Sequence, residues 1–140
     1  MNLSTRQHPE PALLHDRVFP KAPRSSGGAR DFARIAMTAW AVQPSRIDDM
    51  VLCVSELASN AVRHGAPSGR LFLVRLLTFN DTVRIEVHDS GRAWQKPPCT
   101  QAPSDATAGR GLFLVDSLSD EWGVLPRTPL GKVVWAEFRL

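Results

Sequence analysis

Apolar positions recur along this chain with two different periods, and the switches between them divide it into elements. From 26 or 28 to about 42, Ala29, Phe32, Ala33, Ala36 and Trp40 recur at helical spacing, which predicts a first helix with Trp40 in the core. A second helix is predicted between Pro44 and Ser45, which suit a helix start, and Gly65 and Pro67, which stop one. Along it Ile47, Val51, Val54, Ala58, Ala61 and Val62 fall on one face at about 100° per residue. The period then becomes two over 71–79 and 82–88, two strands joined at Asn80-Asp81, a strong hairpin signal. A third helix is predicted over 110–118, and 122–125 and 132–140 read as a closing pair of strands. In the last strand Val134, Ala136, Phe138 and Leu140 face one way, and Val133, Trp135, Glu137 and Arg139 the other.

Ahead of these elements, 17–21 reads as a short edge strand ended by Pro20 and Pro23, and 1–15 as a flexible N-terminal arm. The sum is an α+β fold: a two-layer sandwich with helices on one face of a mixed, mostly antiparallel sheet. At 140 residues this is one domain, 16–140 after the arm, able to bury roughly two-thirds of its unfolded surface. No internal repeat or low-complexity tract is visible.

Opposite the apolar stripe of the second helix runs a polar line, Glu56, Asn60 and His64. Such a line is ordinarily solvated. A carboxylate and a carboxamide one turn apart are also what an enzyme needs to handle a magnesium-bound triphosphate. In the strand Val83-Arg84-Ile85-Glu86-Val87-His88-Asp89, Asp89 continues the inward face of Val83, Ile85 and Val87. A carboxylate turned toward the core needs a donor. An adenine amino group is one candidate; a backbone amide or the Ser90 hydroxyl in the turn before Gly91 is the other. Finally, Gly109-Arg110-Gly111-Leu112-Phe113-Leu114-Val115 changes from glycine-rich loop to helix. Glycines allow close backbone approach, and the first amides of a helix favour an anion. Arg110 adds a fixed positive charge suited to phosphate oxygens. The other reading is a plain helix entry, and a lone Gly-x-Gly is weak evidence.

Taken in order, Glu56-x-x-x-Asn60-Ala61-x-x-His64-Gly65, Asp89-x-Gly91 and Gly109-Arg110-Gly111-Leu112 resemble the N, G1 and G2 boxes of the GHKL (Bergerat-fold) ATPase superfamily. Within it, the short length, the phrase Ser55-Glu56-Leu57-Ala58-Ser59-Asn60-Ala61 and the ending Gly131-Lys132-Val133-Val134-Trp135 look most like the anti-sigma factor serine kinases of RsbW and SpoIIAB type. The resemblance spans about 16–140.

That resemblance implies ATP and Mg2+ as cofactors. Asn60 would supply its amide oxygen to magnesium, and Glu56 would orient or deprotonate the attacking hydroxyl. Asp89 would read the adenine amino group, with Gly91 giving the base room. Gly109, Arg110 and Gly111 would cradle the phosphates, Leu112 completing that box, and Arg110 would also stabilise charge on the transferred group. It further implies a homodimer that binds a sigma factor and phosphorylates a small antagonist protein on serine. A regulator that senses nucleotide or binds protein without phosphotransfer is the alternative. Two departures motivate it: Ala93 stands where a second glycine is usual after Asp89, and Gly131-Lys132-Val133-Val134 lacks the hydroxyl that commonly supports the aspartate.

The remaining composition narrows the classes. Net charge is +3, with basic residues dispersed; Arg6, Arg17, Lys21, Arg24 and Arg30 straddle a turn-rich stretch, so an acidic protein partner or solvent is expected rather than nucleic acid. Cys53 and Cys99 share no framework and predict reduced thiols in a cytoplasm. The first 15 residues hold no long apolar run, so no signal or membrane span is expected. His8, His15, His64 and His88 show no metal-ligand spacing, and His64 reads as a helix-end residue. The stretch 91–108, with Pro97, Pro98 and Pro103, is expected to be a lid between the base-binding and phosphate-binding ends, Trp94 being a possible anchor for it.

Overall fold

The computed structural model describes residues 10–64, 70–90, 107–127 and 130–140. Eight elements follow in order: β1 (Leu13–Pro20), α1 (Arg24–Ala39), α2 (Pro44–His64), β2 (Leu71–Phe79), β3 (Thr82–Asp89), α3 (Thr107–Leu118), β4 (Glu121–Pro126) and β5 (Lys132–Arg139). The strands form one sheet in the order β1-β2-β3-β5-β4. Every pairing within it is antiparallel, so the sheet over the described residues is not the mixed one expected.

Both periods are realised in packing. On β2 and β3 the inward residues Phe72, Val74, Leu76, Val83, Ile85 and Val87 are buried, and β5 adds Val134, Ala136 and Phe138. Against them lie Ala29, Ala33, Ala36 and Met37 of α1, and Met50, Val54, Leu57, Ala58 and Ala61 of α2. Leu112 and Val115 of α3 complete the same core. Burying a side chain of Leu or Phe size stabilises by about 1.5–3 kcal/mol, so this single cluster is what fixes the helices on one face. Trp40, expected in the core, is only partly buried at its margin and stacks on His15 with ring centroids 5.6 Å apart. The β2–β3 turn is two residues long, and Asn80 takes the left-handed conformation (φ 53°) that such a hairpin requires.

Three boundaries differ from expectation, each for a physical reason. Strand β1 begins at Leu13, inside the stretch expected to be an arm. Backbone pairing holds these residues, with Leu13 opposite Thr78 and the Ala12 amide donating to the Thr78 carbonyl at 2.8 Å, while Leu13 and Leu14 stay exposed and leave no hydrophobic pattern to read. Helix α1 runs two to four residues ahead of its expected start and stops at Ala39. Ala41, at φ 59°, reverses the chain into α2. Helix α3 starts at Thr107, so Gly109, Arg110 and Gly111 are inside its first turns and not in a loop ahead of it. Poor helix formers hid that start; the docking of Leu112 and Val115 compensates, as tertiary packing commonly does.

Candidate functional site

Helix α2 packs on β3 and on α3, so the helix that carries the first sequence box touches both elements that carry the other two. Asn60 is on the inner side of α2 and only 2% exposed, which a solvated surface line would not produce. Its side-chain nitrogen is buried with no hydrogen-bond partner among the described residues, and its oxygen receives only a long 3.5 Å hydrogen bond from Arg63. Buried amides are nearly always satisfied, and one that is not asks for a partner beyond the described residues. Glu56, one turn earlier, is half-buried. Burial, and after it the charges of Asp49 and Glu56, push the thiol of neighbouring Cys53 up to about 12, so that it stays protonated and unreactive.

Asp89 closes the inward row of β3 and is 1% exposed, as alternation predicts. Among the described residues it has a donor that lies outside the candidates the sequence offers. Lys132, its register partner on β5, reaches across the same face, and the ammonium Nζ lies 3.2 Å from each carboxylate oxygen. Both side chains are at least 98% removed from solvent. On the other flank Asp89 faces Phe72 of β2, which stacks on Phe19 of β1. Period two, carried one step back from Val134, puts Lys132 on the inward face; that was the signal for this pair, and the position was read only for its missing hydroxyl.

A second ammonium bears on the same carboxylate. Lys21 follows β1 at this end of the sheet, its amide donating to the Arg70 carbonyl, and its Nζ is buried without a hydrogen-bond partner among the described residues. Burial lowers its pKa; Asp89 pulls it upward and Lys132 pushes it down. Gly131 is held at φ +108°, and a Cβ there would stand 2.0 Å from the Asp89 carbonyl oxygen. The last strand therefore enters against the Asp89 backbone, with glycine required at the point of approach.

For the remaining expected positions, the backbone of α3 carries Gly109, Arg110 and Gly111 at a helix start, and the side chains of 107–111 lie outside the described residues. Leu112 is fully buried. Gly91, Ala93, Trp94 and most of the expected lid, 91–106, lie outside the described residues, as do Cys99, Gly65 and the His64 side chain. A groove of about 230 Å³ on the α1–α2 seam is lined by Pro23, Ser26, Ser59, Val62 and Arg63 and holds none of the box residues.

The outward face of the sheet carries a separate charged network. Arg84 donates to Glu86 and to Glu137, each at 2.7 Å, and lies 4.4 Å from the Trp135 ring centre. His88 pairs with Glu86 at 2.8 Å, and Arg75 donates to Asp16 at 3.0 Å on the neighbouring strands. Burial would raise the Glu86 pKa, but the hydrogen bonds from His88 and Arg84 outweigh it and bring it down to about 2.

Residues 19–138 match the model of the histidine kinase-like ATPase domain, and the chain belongs to that family. No curated protein matches it. Among solved structures it is similar to that of the RsbU and RsbW domains of Rv1364c from Mycobacterium tuberculosis, with a TM-score of 0.70 and 22% identity over 93% of this chain and 33% of that one. It also matches the histidine kinase domain of the blue-light activated histidine kinase from Erythrobacter litoralis EL346, at 24% identity over 68% of this chain and 45% of that one, with a TM-score of 0.46. The chain thus spans about a third and under half of these two proteins. The fold is the α+β ATPase fold expected from the three boxes, and domains of this family bind ATP, typically with magnesium. No helix among the described residues is long and apolar enough to cross a membrane.

Proposed function

We propose that this chain is an ATP-binding serine kinase of the anti-sigma type, which binds a sigma factor and phosphorylates a small antagonist protein in the cytoplasm as a homodimer. The observation that carries the reading is Asn60: a buried amide whose nitrogen has no partner among the described residues, on the helix expected to carry the N box. An amide oxygen is a ligand that a hard cation accepts, and a half-turn of the side chain presents the oxygen where the nitrogen now stands. Magnesium-bound ATP supplies the transferable phosphoryl group. Glu56 accepts a proton from the attacking serine hydroxyl, a general-base contribution of about 10²–10⁴-fold. Asn60 would hold the metal, while the first amides of α3, with Arg110, would hold the phosphate end. The base end fits less well, because Asp89 already has a charged donor in Lys132.

That ion pair favours a second reading, a regulator that keeps the fold and binds nucleotide or protein without phosphotransfer. Incubation with labelled ATP, magnesium and the antagonist separates the two. Serine phosphate on the antagonist, lost in Asn60→Ala, supports the kinase. Its absence from both proteins rejects it. Tight ADP binding without turnover then supports the sensor.

A further inference from the structure

The Asp89–Lys132 pair bears on which base the site accepts. A site rejects the wrong base when that base leaves a buried polar group unpaired; the penalty falls on the protein's own donors and acceptors. An unpartnered Asp89 would work in this way, satisfied by an aminopurine and stranded by any base without a donor at that place. Here the carboxylate is satisfied before any base arrives, with the Lys132 ammonium 3.2 Å from both of its oxygens and both groups buried.

A neutral amine cannot readily displace this donor. The exchange would give up the direct coulombic attraction between the ammonium and the carboxylate, which a neutral amine does not supply. Moving the ammonium aside would also separate a buried ion pair in a place that already holds the Lys21 ammonium. Lys132 cannot swing away by a backbone adjustment either, because Gly131 is fixed against the Asp89 carbonyl and Lys132 is locked in register opposite Asp89.

We infer that Lys132 is the base-specificity determinant of this chain: it takes the donor place on Asp89 that an adenine amino group would fill, so nucleoside triphosphates bind with little preference for adenine. The inference rests on the proposal that the site binds nucleotide. What distinguishes it is the prediction that the phosphate end carries the affinity, while the base end contributes no selection.

The test is calorimetric titration of the unmodified protein with ATP and with GTP in the presence of magnesium. The two dissociation constants are expected to agree within about threefold, since neither base leaves a polar group stranded. A preference for ATP of about tenfold or more overturns the inference while leaving the nucleotide site standing. Binding of neither nucleotide overturns both. In Lys132→Thr, ATP is expected to bind about tenfold tighter with GTP changed by less than about threefold, because Asp89 has lost its Lys132 donor and the adenine amino group can take that place. A variant that folds, judged by its thermal melt, and keeps the wild-type ratio also overturns the inference. The wild-type ratio decides the matter even if the variant does not fold.

Discussion

The ammonium of Lys132 sits 3.2 Å from both carboxylate oxygens of Asp89, joining the first residue of β5 to the last of β3 within the buried layer of the sheet. Breaking one side of such a pair strands the other charge. Asp89→Asn or Lys132→Met should therefore destabilise the fold by about 3–5 kcal/mol, whereas the double variant should recover most of that loss. Urea denaturation of the four proteins checks this. Additive losses in the double variant would mean that the two groups do not depend on each other.

Gly131 is a second fixed point in the same corner. Its φ of +108° and the 2.0 Å approach of a Cβ to the Asp89 carbonyl oxygen leave no room for a side chain. Gly131→Ala should cost about 2 kcal/mol or more, from backbone strain together with the forced shift of β3. A denaturation midpoint equal to that of the wild type would show that the strand can enter by another path.

The outward network predicts acid sensitivity. Glu86 has its pKa lowered from 4.5 to about 2 in the folded chain, with burial opposing and the His88 and Arg84 hydrogen bonds prevailing. A depressed carboxylate stabilises the fold above its unfolded value, so this contribution is whole above about pH 4.5 and disappears as pH falls toward about 2. Thermal melts across that window should show a steep fall in Tm for the wild type and a shallower one for Glu86→Gln. Parallel curves would remove Glu86 as the cause.

Much of this was legible in the chain. Strand alternation placed Val83, Ile85, Val87 and Asp89 inward together, and the structure buries all four. The apolar stripe of α2 was equally readable because one helix face meets one core. What the pattern concealed depends on partners distant in sequence. Whether Asn60 is solvated or buried follows from how α2 packs on β3 and α3, and the Lys132 donor to Asp89 lies 43 residues away on a strand reached through α3 and β4. Strand β1 was read short because its first residues are held by backbone bonds, which carry no side-chain signature.

Glu56 provides the test of chemistry as distinct from binding. Its carboxylate is half-buried one turn from Asn60, and in the proposed function it takes a proton and does not hold the metal. Glu56→Gln should lower phosphate transfer to the antagonist by about 10²–10⁴-fold while leaving the dissociation constant for magnesium nucleotide within about threefold of wild type. Rapid-quench single-turnover measurements, paired with equilibrium titration, separate the two quantities. A loss of binding equal to the loss of transfer would assign Glu56 to the binding site instead.

Titration of the wild type and Asn60→Ala with ATP, with and without magnesium, decides whether the buried amide of Asn60 belongs to a magnesium–nucleotide site. The account predicts saturable, magnesium-dependent binding by the wild type and a loss of affinity of at least about tenfold in the variant, the size typical of removing one group from a metal site. Equal binding by the two proteins, or none by a folded wild type, would contradict it.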